Sequence, residues 1–405
     1  MGTARSILAA ALVALSLTHP ARGQVPEIGR GEVWPMTRIL ADGTTEAAGE
    51  ALALDGFSGP VTFLHLVAGA HAVQLETPSG PIEVGGYLTA DVAHDLVVLE
   101  PLEGLASTPW PGIQPATLER DDELSAYAAS DAPVAVTTQG WMEVPPGLTL
   151  LHLDRSPRGP APVFDGKGRF VALGGHFLAP DGILAYGIGA EVLVRLQRRH
   201  RGEALARPLS ELAGEEAPWR DAKTAAGLCL RGGLMVRNQQ ILEGLAYLER
   251  ALETAPGASE IQFEIGSAYA IQMSHATALE AFRKAVAGRP CYVEALVYNG
   301  ATCFNLNLYD EAESLYAAAM ACDSTYARIH VNVGGLAHMR RRNTEAEAAF
   351  RKAIALDPEF DVARFNLAVL LKRTGRPDQA LEQLNVMRAN GSALALRLQH
   401  VLEGL

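Results

Sequence analysis

Beyond its first two dozen residues the chain has no run of about 18 uninterrupted apolar residues, the length a bilayer-spanning helix needs. No membrane insertion is therefore expected once that leading segment is removed. Positive charge is also in deficit: 34 Lys and Arg stand against 46 Asp and Glu, a formal net charge of −12. A basic field able to hold a nucleic-acid backbone or an anionic lipid surface is absent, so neither is an expected partner. Cysteine is scarce. Cys229, Cys291, Cys303 and Cys322 all fall in the C-terminal half, with no Cys-x-x-Cys pair and no Cys/His cluster at zinc spacing. Neither a metal site nor a cofactor is expected. Four cysteines allow three full pairings, and the spacing selects none of them.

What is present is enough apolar material for real cores. Hydrophobic residues make up 48% of 405 and charged residues 20%, which points to two or three folded domains rather than a disordered chain. The first residues have another texture. Arg5 is followed by an apolar run from Ile7 to Leu17 and then by Ala21-Arg22-Gly23. A short basic start, an apolar stretch too short to span and small residues at the cleavage positions are the pattern of a signal peptide. Residues 1–23 are expected to be removed before Gln24, leaving a periplasmic or secreted protein, with an uncleaved N-terminal anchor as the alternative. No cysteine follows the apolar run, so a lipid anchor is not expected.

The C-terminal half repeats itself. Ala278-Leu279-Glu280-Ala281-Phe282-Arg283-Lys284-Ala285, followed by Pro290, returns 68 residues later as Ala346-Glu347-Ala348-Ala349-Phe350-Arg351-Lys352-Ala353, followed by Pro358. Ala312, Tyr316 and Ala319 lie midway. Gly244, Leu248, Ala251 and Pro256 precede in the same register, and Ala380, Leu384 and Met387 follow. Small residues recur every 34 positions at Gly232, Gly266, Gly300, Gly334 and Ala368. Within a copy the apolar residues keep helical spacing, as in Ile261, Ile265, Ala268 and Tyr269. A helix pair of this size has too little core of its own and is stabilised by stacking on its neighbours.

This period, with small residues at positions 8, 20 and 27, an aromatic at 24 and proline at 32, resembles the tetratricopeptide (TPR) repeat family. The resemblance implies five helix pairs from Ala225 to Ser392 and a capping helix over Ala393 to Leu405. The position-24 aromatic is expected to fill the gap between successive repeats. Ser324 and Ser392 replace the proline, Leu248 and Leu384 replace the aromatic, and Met387 is bulky for its slot. The family's groove contacts come from positions 2, 5, 6, 9, 12 and 13 of the first helices. Here these include Asn332 and Asn366 at position 6, with Arg328, His338, Lys372 and Arg373 nearby. An asparagine amide can pair with both the N–H and the C=O of an extended peptide. The alternative is that these are ordinary solvated residues of a helix face. The set of Lys, Asn and Arg that clamps a C-terminal carboxylate in some TPR proteins is missing.

From about Glu32 to Leu196 short apolar runs alternate with Gly- and Pro-rich turns. The runs are Val61 to Leu64, Ala72 to Leu75, Val134 to Thr138, Leu148 to Leu153, Phe170 to Leu173 and Ile183 to Ile188. They predict an all-β sandwich or barrel pair closed by a helix over Ala190 to Arg199. Thr62-Phe63-Leu64-His65-Leu66-Val67, His94-Asp95-Leu96-Val97-Val98-Leu99 and Pro162-Val163-Phe164-Asp165-Gly166 follow in order. Together they resemble the landmarks of exported trypsin-like (Deg-type) serine proteases, which implies a double β-barrel over residues 30–200. On that resemblance His65 is the general base and Asp95 its orienting partner, but the nucleophile position falls on Gly159, which has no side chain to attack with. Pro160 and Ala161 follow where small flexible residues are usual, and Ser156, three residues upstream, is the substitute nucleophile the sequence offers.

The expected chain is thus an exported all-β trypsin-like pseudoprotease domain, a linker over 201–224 with a short helix around Leu209 to Leu212, and an all-α TPR solenoid. Its expected role is to bind a protein or peptide as a scaffold. An active serine endopeptidase using Ser156, and a structural assembly factor of the cell envelope, are the alternatives. Oligomeric state is left open.

Overall fold

The computed structural model describes residues 32–102, 109–110, 113, 118, 123–127, 134–145, 148–154, 160–179, 182–200, 205–358, 360–392 and 394–403. The expected signal segment, Ser156 and Gly159 lie outside the described residues. The N-terminal half is all β and the C-terminal half all α, as the two textures of the sequence predict.

The strands are β1 (Val33–Ile39), β2 (Thr45–Leu52), β3 (Val61–Phe63), β4 (Ala72–Thr77), β5 (Gly80–Val84), β6 (Gly86–Asp91) and β7 (Leu96–Leu99), then β8 (Glu123–Ala126), β9 (Val134–Val144), β10 (Leu148–Leu153), β11 (Ala161–Asp165), β12 (Phe170–Ala179), β13 (Gly182–Gly189) and β14 (Arg207–Pro208). One eight-stranded sheet, in the order β14-β6-β7-β3-β2-β1-β4-β5, forms a half-barrel. The other, β10-β13-β12-β11-β8-β9, closes on itself. Alternation places the cores: in β1, Trp34 and Met36 are buried on either side of exposed Pro35. Strand β7 is buried on both faces, so it reads in sequence as a continuous rather than an alternating apolar run. The half-barrel core gathers Trp34, Met36, Leu64, Val73, Leu75 and Val97, and the closed barrel gathers Leu124, Val136, Leu151, Val163 and Val171. The one-turn helix α1 (Leu64–Val67) follows β3, and α2 (Ala190–His200) follows β13.

Ten further helices follow in pairs: α3 (Ala225–Arg237) and α4 (Ile241–Thr254), α5 (Ser259–Ile271) and α6 (His275–Gly288), α7 (Val293–Asn305) and α8 (Tyr309–Cys322), α9 (Ala327–Met339) and α10 (Asn343–Leu356), α11 (Asp361–Arg373) and α12 (Pro377–Ala389). A last helix, α13 (Ala395–Glu403), packs against α11 and α12 and buries Leu398. The position-8 glycines are close-approach residues. A Cβ on Gly300 would lie 2.5 Å from the Tyr316 ring, and one on Gly334 would lie 2.6 Å from the Phe350 ring. The position-24 ring therefore fills the space left by the glycine of its own repeat, where the sequence reading placed it between repeats. Phe282 does both, since its ring also stands 6.0 Å from that of Tyr298 in the next copy.

The turn inside each pair needs a left-handed residue at position 15. Gln239, Met273, Asn307 and Arg341 adopt φ of 60° to 68° there, and only the fifth copy supplies glycine, Gly375. Between pairs the chain leaves the helix in an extended residue, which a following proline favours: Arg289 precedes Pro290 with φ −139° and ψ 90°. The proline-less third copy reaches the same geometry another way. Asp323 is extended too, and its carboxylate accepts from the Thr325 amide at 2.8 Å and hydroxyl at 2.7 Å.

The chain divides into two compact units, parting between Pro256 and Gly257. The first unit holds the β structure together with α3 and α4, and the second holds α5 to α13. One disulfide, Cys291–Cys322, lies wholly in the second unit. Cys229 and Cys303 are buried outside that bridge, and burial pushes the Cys303 thiol up to about 11.

Candidate functional site

Two regions gather the residues that sequence reasoning singled out. The first is at the end of β3. Thr62 is fixed by its hydroxyl donating to the Glu50 carbonyl at 2.7 Å, and the chain then turns into α1, which begins at Leu64 and carries His65. Asp95, the residue just before the neighbouring β7, sits in the left-handed region at φ 60°. It caps α1 from outside. Its carbonyl accepts from the Leu64 amide at 2.8 Å, and its Oδ1 accepts from the His65 amide at 2.9 Å. The other oxygen, Oδ2, lies 2.5 Å from Nδ1 of His65. The Asp95 side chain is fully buried, and that of His65 is 22% exposed. The imidazole ring stacks on Phe63 with centroids 5.7 Å apart.

Sequence reasoning missed the second side chain on Asp95. Arg220 reaches back from the segment before α3, its Nη1 3.4 Å from Oδ2 of Asp95 and 3.3 Å from the Tyr186 hydroxyl. Burial and the Asp95 charge hold the Tyr186 phenol well above its ordinary range. Gly175 makes this crowding feasible, because a Cβ there would stand 2.5 Å from the Phe63 ring and 2.9 Å from the Tyr186 oxygen. The signal in the sequence was Trp219-Arg220, an aromatic and a cation in a stretch otherwise rich in glutamate. A His–Asp pair so placed can orient an imidazole, but among the described residues no hydroxyl or thiol nucleophile stands within hydrogen-bond reach of it.

The second region is the row of first helices in the second unit, α5, α7, α9 and α11, which pack side by side in sequence order. Position 6 of these helices holds Glu264, Tyr298, Asn332 and Asn366. Tyr298 is the member sequence reasoning passed over, although it shares their register. It is 37% exposed, with its ring edge-on to Phe263 at 5.4 Å. Asn332 is buried to 8% exposure and Asn366 is half-buried. His338 has its Nδ1 3.1 Å from Oδ1 of Asn343, and its pKa is lowered, first by burial and further by the Arg373 cation. Arg373 itself is exposed. The guanidinium of Arg328 lies 5.8 Å over the Phe360 ring. Lys372 reaches the last helix. Its ammonium donates to the carbonyls of Val401 and Leu402 at 2.8 and 2.7 Å, capping the C-terminal end of α13, where a cation meets the negative end of the helix. Among the described residues no group of His, Cys, Asp and Glu could hold a metal ion, and no helix is long and apolar enough to cross a membrane.

Tetratricopeptide-repeat family models match residues 234–292, 304–361 and 337–396. A curated relative, the protein O-mannosyl-transferase TMTC1 of Mus musculus, is 30% identical over 116 residues. That match covers 28% of this chain and only 12% of the length of the relative. Among solved structures the chain is similar to TTC0263, a TPR protein of Thermus thermophilus, at 22% identity and TM-score 0.40, over 45% of this chain and 100% of that one. It is also similar to PilF of Pseudomonas aeruginosa, at 20% identity and TM-score 0.40, over 44% of this chain and 82% of that one. A third is MamA of Desulfovibrio magneticus, at 23% identity and TM-score 0.37, over 42% of this chain and 96% of that one. The C-terminal half of the chain is built of tetratricopeptide repeats, and protein–protein interaction is the general business of such repeats.

Proposed function

We propose that this protein is a binding scaffold that works outside the cytoplasm. Its TPR groove takes up an extended segment of another polypeptide, and its β half is a trypsin-like fold without a working nucleophile. The observation that carries the reading is the register of position 6, where Tyr298, Asn332 and Asn366 recur on adjacent first helices. An aromatic face and two amides in a row supply apolar contact and backbone pairing for a peptide. The Cys291–Cys322 bridge supports a compartment that permits disulfides. The His65–Asp95 pair, the order of the three sequence landmarks and a closed barrel beside a half-barrel support the trypsin-like reading of the β half.

Two experiments test the two parts. Panning a random peptide library on the full chain selects binders, and the Asn332→Ala/Asn366→Ala double variant weakens them at least tenfold. Binders indifferent to that variant would place recognition elsewhere. The purified protein gives no labelling with a fluorophosphonate serine-hydrolase probe. Labelling that disappears in His65→Ala would instead establish a working nucleophile, with Ser156 the first residue to replace.

A further inference from the structure

We propose that Trp219 and Arg220 form a clasp for which the His65–Asp95 pair is the receptacle, so that a pair shaped like acid–base machinery fastens the first repeat helix, α3, to the β half. The inference rests on the geometry of the first compact unit and is independent of what the groove binds.

Charge gives the first reason. The Asp95 carboxylate is fully buried, and a buried anion needs both hydrogen bonds and a compensating cation. The His65 amide and ring nitrogen provide hydrogen bonds at 2.9 and 2.5 Å. The guanidinium of Arg220 provides the cation at 3.4 Å with its side chain only 13% exposed. Anchoring is the second reason. Trp219 is 1% exposed, its indole nitrogen donates to the Ala93 carbonyl at 2.9 Å, and its ring meets Tyr186 edge-on at 4.9 Å. Ala93 is two residues before Asp95, so both members of the dipeptide grip the same turn. The third reason is continuity. The Arg220 carbonyl accepts from Nη2 of Arg231 on α3 at 3.0 Å, and Arg231 is itself 4% exposed and donates through Nη1 to the Gly227 carbonyl at 3.0 Å. Thr224 completes the turn, donating to the Pro218 carbonyl at 2.5 Å and capping α3 by accepting from the Gly227 amide at 3.0 Å. A line of hydrogen bonds thus runs from Asp95 through Arg220 and Arg231 into α3. Arg237, at the far end of that helix, donates to the Trp141 carbonyl of β9 at 3.3 Å.

Hydrogen exchange on the full chain tests this. In Arg220→Gln the amides of α3 and of residues 92–99 exchange at least tenfold faster than in the parent, while those of α5 to α13 do not change. Arg38→Gln, which removes the exposed Arg38–Glu46 pair, leaves all of them at parent rates. Parent-like protection of α3 in Arg220→Gln, or loosening confined to residues 218–222, overturns the proposal. If Arg220→Gln fails to fold, Asp95→Asn/Arg220→Gln decides. The clasp predicts recovery of the fold, because no charge is then left buried without its partner. Failure to recover overturns it.

Discussion

Gly334 and Phe350 show at the scale of single residues how the repeat works. The ring stands where a Cβ on the glycine would be, at 2.6 Å, so Gly334→Ala overpacks the pair and costs about 1–3 kcal/mol. The fifth copy shows the remedy, since it carries Ala368 opposite Leu384 at the same two positions. Gly334→Ala/Phe350→Leu therefore melts above Gly334→Ala alone in a urea titration, although each change by itself destabilises. This pairing was half legible in the sequence. The 34-residue recurrence of small residues announces a close approach, but only coordinates identify the side chain that approaches. The Arg220–Asp95 contact was not legible at all, because 125 residues separate the partners and no local pattern links them. Positive φ at Gln239, Met273, Asn307 and Arg341 was hidden for another reason: none of these positions holds the glycine that normally signals such a turn.

Between elements, adjacent repeats are joined by an ion pair in a fixed register. Arg342 at position 16 of the fourth copy meets Glu313 at position 21 of the third at 2.8 Å, and Arg376 meets Glu347 in the same way at 2.5 Å, one copy on. The hydrogen bonds from Arg376, with the Arg351 charge adding, lower the Glu347 pKa below its ordinary 4.5. A carboxylate depressed in the folded state contributes stability that is complete above its unfolded value and is lost as pH falls through the folded one. The parent therefore loses stability from about pH 4.5 downward more steeply than Arg376→Leu does, and above that pH the variant is the less stable of the two. Thermal melts of both proteins between pH 3 and 7 check this. The helices themselves were legible because five copies state the same pattern. The strands were less so: the run at Val61 to Leu64 gives up its last residue to α1, whose first amides Asp95 captures.

At the scale of the molecule, the solenoid unit carries its own covalent brace. Cys291 and Cys322 lie 31 residues apart, and closing a loop of that length removes unfolded-state entropy worth about 3–4 kcal/mol. Reduction with dithiothreitol lowers the melting temperature of the unit holding α5 to α13 and leaves that of the β-containing unit where it was. The central claim is that the row of first helices receives a polypeptide. Photo-crosslinking tests it directly, using p-benzoylphenylalanine placed at Tyr298 in one protein and at Glu280, on the exposed face of the second helix α6, in another. With a peptide selected on the full chain, the account predicts crosslinks from position 298 and none from 280. Equal crosslinking from both, or crosslinking from 280 alone, would contradict it.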